Sequence, residues 1–318
     1  YFLHILKLWI MLKKLFVTAV LLLAALSFVV SLLKGNNNKD ISLNVTECVA
    51  VIDIVGPITS GGTGGSVLEQ VNGTGSRDVM HQIREAAEDI SVRALLLNID
   101  SPGGSPTAAE EISEELLKFK AVSKKPVVTA MGDMGASAAY WIAAAASDKI
   151  YANGTTLTGS IGVYMPYMNV TKLMEKIGVT SGMIKSGKNK GMLSPDREMT
   201  EEERAIVQNI VNEIHEEFIR VVAEGRHMDG QQLRSLADGR VYTGKQAKNV
   251  GLIDEVGNYY DALLEAGKLG GISGMPKVKR REKPTPWETL MGAEIVTAVK
   301  TQLLKHLQTG FEGELGTR

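Results

Sequence analysis

The chain has 318 residues, 44% hydrophobic and 22% charged, which excludes a disordered or collagen-like polypeptide and is ample for a buried core. Lysine plus arginine number 35 against 36 acidic residues, and this net charge of −1 lacks the basic excess of a nucleic-acid binder. The one cysteine, Cys48, excludes an internal disulfide and a multi-cysteine zinc site, and the five histidines show no metal-ligand spacing, so no metal or other cofactor is expected.

Leu15–Leu33 (LFVTAVLLLAALSFVVSLL) carries no charge. As a helix it would extend about 28 Å, close to the hydrocarbon thickness of a bilayer. Thr18, Ser27 and Ser31 are its only polar side chains, and each can bond back to its own helix. A cleaved signal peptide has a shorter apolar stretch and a small-x-small cleavage site. Here the run passes straight into Lys34, Gly35 and Asn36–Asn38, so residues 15–33 read as an uncleaved transmembrane anchor. Lys7, Lys13 and Lys14 precede it while Lys34 and Lys39 follow, a slight bias that places residues 1–14 in the cytoplasm and the remainder outside it. Met11 followed by Lys13-Lys14 reads as a more natural start than Tyr1, which sets residues 1–10 apart.

Residues 34–47 read as a polar linker. Cys48–Val55 is an apolar strand stopped by Gly56-Pro57, and Thr59–Gly65 is glycine-rich. Ser76–Ile90 places Val79, Ile83, Ala86 and Ala87 at helical spacing. Val92–Asp100 is a buried strand; Ser105 then caps, and Pro106 opens, a helix to about Lys118. Pro126–Met131 is the next strand, turning at Gly132–Gly135 into a small-residue helix over Ser137–Ala146. Lys149–Ala152 and Ile161–Tyr164 read as further strands. From Thr200, with Glu203 at capping-box spacing, Ile206, Val207, Ile210, Val211, Ile214, Phe218 and Val221 form one apolar stripe of a long amphipathic helix. Asp238–Arg240 and Gly251–Asp254 punctuate the end of a single folded domain over 48–275. In residues 276–318, Lys277–Pro286 reads as a basic linker and Ile295–Leu307 as a terminal helix. Strand and helix alternate through 48–165, the pattern of a βαβ-type α/β domain.

Three strand ends carry chemistry. Asp100-Ser101-Pro102-Gly103-Gly104-Ser105 runs from a strand through two glycines into a helix start, where outward-pointing amides can stabilise an oxyanion; a tight turn that needs glycine is the plain alternative. In Gly132–Trp141, Ser137 stands where a strand-to-helix turn presents its hydroxyl beside the Ala138 amide. This follows the logic of a nucleophile elbow without meeting GxSxG, and simple helix capping by Ser137 is the alternative. Lys185 and Ser186–Gly191 form a loop that carries Lys188 and Lys190, otherwise read as solvated surface. A serine nucleophile needs a base. None of the five histidines lies in a loop after a strand of the α/β region, whereas a lysine serves where burial disfavours its ammonium form. Lys190 would then bond Ser137, with Ser160 of Thr158-Gly159-Ser160-Ile161-Gly162 holding its amine.

In order and co-occurrence, NIDSPGG, MGDMGAS, TGSIGV, SGKNKGMLSP, TEEER and ADGRVYTGKQAKNVGLIDEVG resemble the signal peptide peptidase A family of membrane-anchored Ser–Lys proteases, from about Ala50 to Asn258. The resemblance implies Ser137 as nucleophile, Lys190 as general base, Ser160 as its hydrogen-bonding partner, and the Gly104 amide, with that of Ala138, as oxyanion donors. Lys188 competes for the base role, and position relative to Ser194-Pro195 favours Lys190. It also implies a ClpP/crotonase-like spiral of ββα-type units and acyl-enzyme hydrolysis of peptides such as remnant signal peptides. Ring- or dome-like homo-oligomers, with catalytic groups meeting at subunit contacts, are part of the same expectation. The family usually places two glycines after the serine; Ala138-Ala139 stand here, and alanine keeps the donor where φ is negative. The alternatives are a crotonase-type acyl-CoA enzyme and an inactive membrane scaffold of the same fold.

Overall fold

The computed structural model describes residues 46–62 and 73–281. The expected anchor at 15–33, its flanks, part of the glycine-rich stretch and the expected helix Ile295–Leu307 lie outside the described residues. Among the described residues, no helix is long and apolar enough to cross a membrane.

In chain order the strands are β1 (Cys48–Val55), β2 (Ile58–Thr59), β3 (Thr74–Gly75), β4 (Val92–Ser101), β5 (Val127–Ala136), β6 (Lys149–Ala152), β7 (Leu157–Gly159), β8 (Val241–Thr243), β9 (Glu255–Val256) and β10 (Lys277–Arg280). The helices are α1 (Ser76–Glu88), α2 (Pro106–Ser123), α3 (Ala138–Ala146), α4 (Thr171–Ile177), α5 (Glu201–Arg226), α6 (Gly230–Leu236), α7 (Gly244–Asn249) and α8 (Tyr259–Leu269). The result is a mixed α/β fold around a central sheet ordered β10-β1-β4-β5-β6-β9, parallel throughout. Covered on both faces, its inner strands are near-continuous apolar runs. Alternate residues serve opposite layers: Leu95, Leu97 and Ile99 pack with α1, α2 and α3, while Ala94, Leu96, Val128 and Ala130 pack under Ala262, Leu263 and Ala266 of α8.

Several elements depart from the sequence reading. β5 runs on through Gly132–Gly135 to Ala136, where composition alone reads a turn, because β7 supplies a partner from Met134 to Ala136. The Thr156 and Thr158 hydroxyls donate to the Gly132 and Gly135 carbonyls at 2.6 and 2.7 Å. The expected strand Ile161–Tyr164 is absent; β7 ends at Gly159, and Ser160, with φ 51°, turns the chain out of the sheet. Lys277–Arg280, read as linker, is instead an edge strand on β1, drawn in by pairs of Lys279 with Asp89 and of Arg280 with Asp53. The capping box of α5 forms as its spacing predicts, the Thr200 hydroxyl accepting from the Glu203 amide and Glu203 from the Thr200 amide. Its apolar stripe, however, is not one buried face: Phe218, Ile219 and Val222 are buried, whereas Ile206, Val207, Val211 and Ile214 are half-buried and Ile210 is exposed. Only the C-terminal half of α5 packs on α3, with the Phe218 and Trp141 rings 4.9 Å apart.

Candidate active site

β5 delivers Ser137 to the first turn of α3 with φ 55° and ψ −125°, a conformation that costs a non-glycine residue of order 1–3 kcal/mol. Its neighbours impose this geometry. The Ser137 N–H donates to the Gly159 carbonyl at 2.9 Å, and its own carbonyl accepts from the Trp141 N–H at 2.9 Å, which opens the helix. The side chain makes no cap bond, so the capping alternative fails. The hydroxyl, half-buried, has no hydrogen-bond partner among the described residues. Ala138 and Ala139 lie outside the positive-φ residues, so the methyl groups cost nothing in backbone strain and the amides are retained.

The second strand end packs directly on this elbow. Gly103 has φ 99°, and a Cβ there would lie 2.8 Å from the Ala136 carbonyl oxygen and from Ser137 Cβ, and 2.9 Å from the Ala138 nitrogen. The Ile58 N–H donates to the Gly103 carbonyl at 2.9 Å and the Ser105 N–H to the Ile58 carbonyl at 2.8 Å. That ladder passes over the Gly104 N–H, which has no acceptor among the described residues. The Ala138 N–H also has none, since the first helical bond of α3 comes from Trp141. Two donors without acceptors among the described residues thus stand on the two turns that pack together at Ser137. The sequence marks both glycines and gives the donor role to Gly104 alone; that Gly103 is the one whose close approach brings the two turns together has no signal beyond the pairing of consecutive glycines.

Of the third group of residues, Ser160 adjoins this turn and the lysines do not join it. Ala136 pairs with Gly159, so Ser160 lies one residue beyond the carbonyl that holds Ser137. Ser160 is half-buried, and its N–H donates to the Arg240 carbonyl at 2.9 Å. Lys190 is not joined to this pair. Its side chain is exposed, and among the described residues it makes no hydrogen bond or ion pair. Lys188 is committed to Glu202 at 2.7 Å, and Lys185 to the Lys188 carbonyl at 2.6 Å. The loop is tied to α5 by Arg197, which donates to the Gly191 carbonyl and to the buried Glu203 carboxylate, each at 2.8 Å. The Arg197 hydrogen bond, followed by that of the Thr200 amide, holds Glu203 down at about 2. Sequence spacing assigned Glu203 to capping alone; its partnership with Arg197 had no signal. Among the described residues, no group of three His, Cys, Asp or Glu could hold a metal ion.

A serine on a strained strand-to-helix turn, with open amides on the turns packed there, is an arrangement that serine hydrolase chemistry can use. Residues 120–273 match peptidase family S49. An Enterococcus faecium protein provisionally named signal peptide peptidase SppA is 38% identical over 229 residues, 72% of this chain and 63% of that protein. A Methanocaldococcus jannaschii protein provisionally named as a protease is 36% identical over 270 residues, 84% of each chain. Protease 4 of Haemophilus influenzae is 32% identical over 71% of this chain and 35% of its own length. The chain belongs to peptidase family S49, the signal peptide peptidase A family of serine peptidases. The acyl-CoA alternative is thereby disfavoured.

Proposed function

We propose that this chain is a membrane-anchored endopeptidase that works through a Ser–Lys dyad. The observation that carries the reading is the elbow itself: Ser137 at φ 55°, uncapped, on a turn against which Gly103 packs, with the Gly104 and Ala138 amides open. The Ser137 Oγ attacks the substrate carbonyl carbon and passes its proton to Lys190 Nζ. The resulting oxyanion accepts from the Gly104 and Ala138 N–H groups. Collapse of the tetrahedral intermediate breaks the C–N bond, and Lys190 returns the proton to the leaving amine. Water, deprotonated by Lys190, then attacks the Ser137 ester carbonyl; the C–Oγ bond breaks, the carboxylic acid product departs, and Lys190 passes the proton to Ser137 Oγ. Ser160, beside Ser137 at the end of β7, orients the lysine amine.

Lys190 reaches the site on assembly. The segment that bears it exposes an unusual apolar surface, with Tyr164 at 86% and Met168 at 67% relative exposure and Leu173, Ile177 and Ile184 also open. Such a surface on an arm with little core of its own supports a homo-oligomer in which a second copy covers it. A ClpP/crotonase-like spiral suits the parallel sheet and the elbow, and the uncharged run at 15–33 supports an anchor with the catalytic domain on the extracytoplasmic side. Peptides released in the membrane, including remnant signal peptides, are the substrate class. The test is a fluorophosphonate probe on the full chain in mild detergent. Labelling of wild type and its loss in Ser137→Ala support the reading; no labelling of either means an inactive scaffold. Light scattering beside specific activity over a dilution series tests assembly, and a fully active monomer would refute it.

A further inference from the structure

Ser101 ends β4 with no solvent exposure, and it pairs in register with Gly135, two residues before Ser137. Its hydroxyl donates to the Gly56 carbonyl at 2.7 Å and accepts from the Gly103 N–H at 3.1 Å. Backbone bonds complete the same knot: the Gly56 N–H donates to the Asp100 carbonyl at 2.9 Å and the Ile58 N–H to the Gly103 carbonyl at 2.9 Å. This second bond matters because a trans peptide is planar, with its C=O and N–H pointing in opposite directions. Ile58, by holding the Gly103 carbonyl, therefore sets the direction of the Gly104 N–H. Ser101 braces both sides of that peptide. It takes the Gly103 amide on one side, and on the other it holds Gly56, two residues before Ile58.

We propose that Ser101 is a positioning residue for the oxyanion donor: its buried hydroxyl fixes the Gly103–Gly104 peptide so that the Gly104 N–H faces the carbonyl oxygen of the tetrahedral intermediate. The proposal rests on the peptidase reading above. Without the hydroxyl, the Gly103 N–H and the Gly56 carbonyl are left unpaired, and Gly103 has no side chain to resist rotation. The Ser101 hydroxyl is fully engaged with the Gly56 carbonyl and the Gly103 amide and makes no hydrogen bond to Ser137. Its effect belongs to the transition state, where the oxyanion exists, more than to ground-state binding.

The test compares the full-length wild type, Ser101→Ala and Ser137→Ala on a peptide ester and its thionoester, whose sulfur is a poor match for an oxyanion hole. Rates are taken per reactive serine, counted by fluorophosphonate titration. For Ser101→Ala, kcat on the ester falls about 10–100-fold, KM stays within about twofold, and the ester-to-thionoester rate ratio falls toward that of the uncatalysed pair. A purely structural role would lower the count of reactive serines and leave the ratio and the per-site kcat unchanged; that result overturns the proposal. If Ser101→Ala does not fold, Ser101→Thr, which keeps the hydroxyl, is compared with Ser101→Cys, a weak donor. Retention of kcat and ratio by threonine with loss of both by cysteine supports the proposal, and equal behaviour overturns it. A wild type with no Ser137-dependent labelling would sink the peptidase reading instead, and the two failures are distinct.

Discussion

Replacing Gly103 by alanine tests whether the elbow and the glycine turn form one unit. The new methyl would sit 2.8 Å from the Ala136 carbonyl oxygen and from Ser137 Cβ, and 2.9 Å from the Ala138 nitrogen. Backbone atoms cannot swing aside as a flexible side chain does, so the two turns must separate by several tenths of an ångström. Overpacking of this kind costs about 1–3 kcal/mol. A φ of 99° adds strain of about 1–3 kcal/mol for a residue with a Cβ. A midway total of roughly 3–4 kcal/mol is a large share of the 5–15 kcal/mol typical of a domain, and in one of this size it lowers the melting midpoint by about 6–16 °C. In the proposed mechanism, separation of the Gly104 and Ala138 amides also removes the alignment that the oxyanion needs, and a displacement near 1 Å costs about 100-fold in rate. Thermal unfolding by circular dichroism and the rate of fluorophosphonate labelling would be followed on the full chain. Gly271→Ala is the control: it has φ 81° with nothing within 4 Å of the added Cβ, so it reports backbone strain alone. A Gly103→Ala variant that melts like this control and labels at the wild-type rate would refute the stacked geometry.

Lys190→Ala should abolish hydrolysis, while Lys188→Ala, which loses only an exposed pair with Glu202, should keep activity within about twofold of wild type and leave the melting point unchanged; the reverse result in a kcat assay would move the base to Lys188. Tyr140→Phe removes a fully buried hydroxyl that donates to the Leu252 carbonyl at 2.7 Å. Leaving that carbonyl unpaired should cost about 1–3 kcal/mol in denaturant titration, and an unchanged midpoint would contradict the bond. At the β10 edge, the Lys279 ammonium and then the Ser91 hydroxyl hold the Asp89 carboxyl down at about 2. Because this folded value lies below the roughly 3.9 of an unfolded chain, the stabilisation is complete above about pH 4 and is lost as pH falls toward 2. Thermal midpoints of Asp89→Asn should accordingly fall below wild type at pH 7 and converge with it near pH 2; a gap independent of pH would exclude the linkage.

Much of the fold was legible because its signals are local. The apolar runs of β1 and β4, the Ser105-Pro106 start of α2 and the Thr200/Glu203 box each depend on residues within one turn or one strand, and each formed where the sequence placed it. Ser137 and Gly104 stand out as candidates for the same reason: a serine and a glycine pair at strand ends are local patterns. Composition could not settle which way an ambiguous segment goes. Gly132–Gly135 continues β5 because β7 lies beside it, and Lys277–Arg280 becomes a strand because Asp53 and Asp89 are there to pair its cations. Helical periodicity marked an apolar face on α5 without saying what covers it, and only the half near Trp141 is buried within the chain. The conformation that makes Ser137 more than a cap is likewise non-local. It is imposed by the Gly159 carbonyl, 22 residues downstream, and by Gly103, 34 residues upstream. Residue type and spacing determined which groups this protein carries; the energetic cost of a serine at φ 55° is met only when distant segments close around it, and that the tertiary structure alone decided.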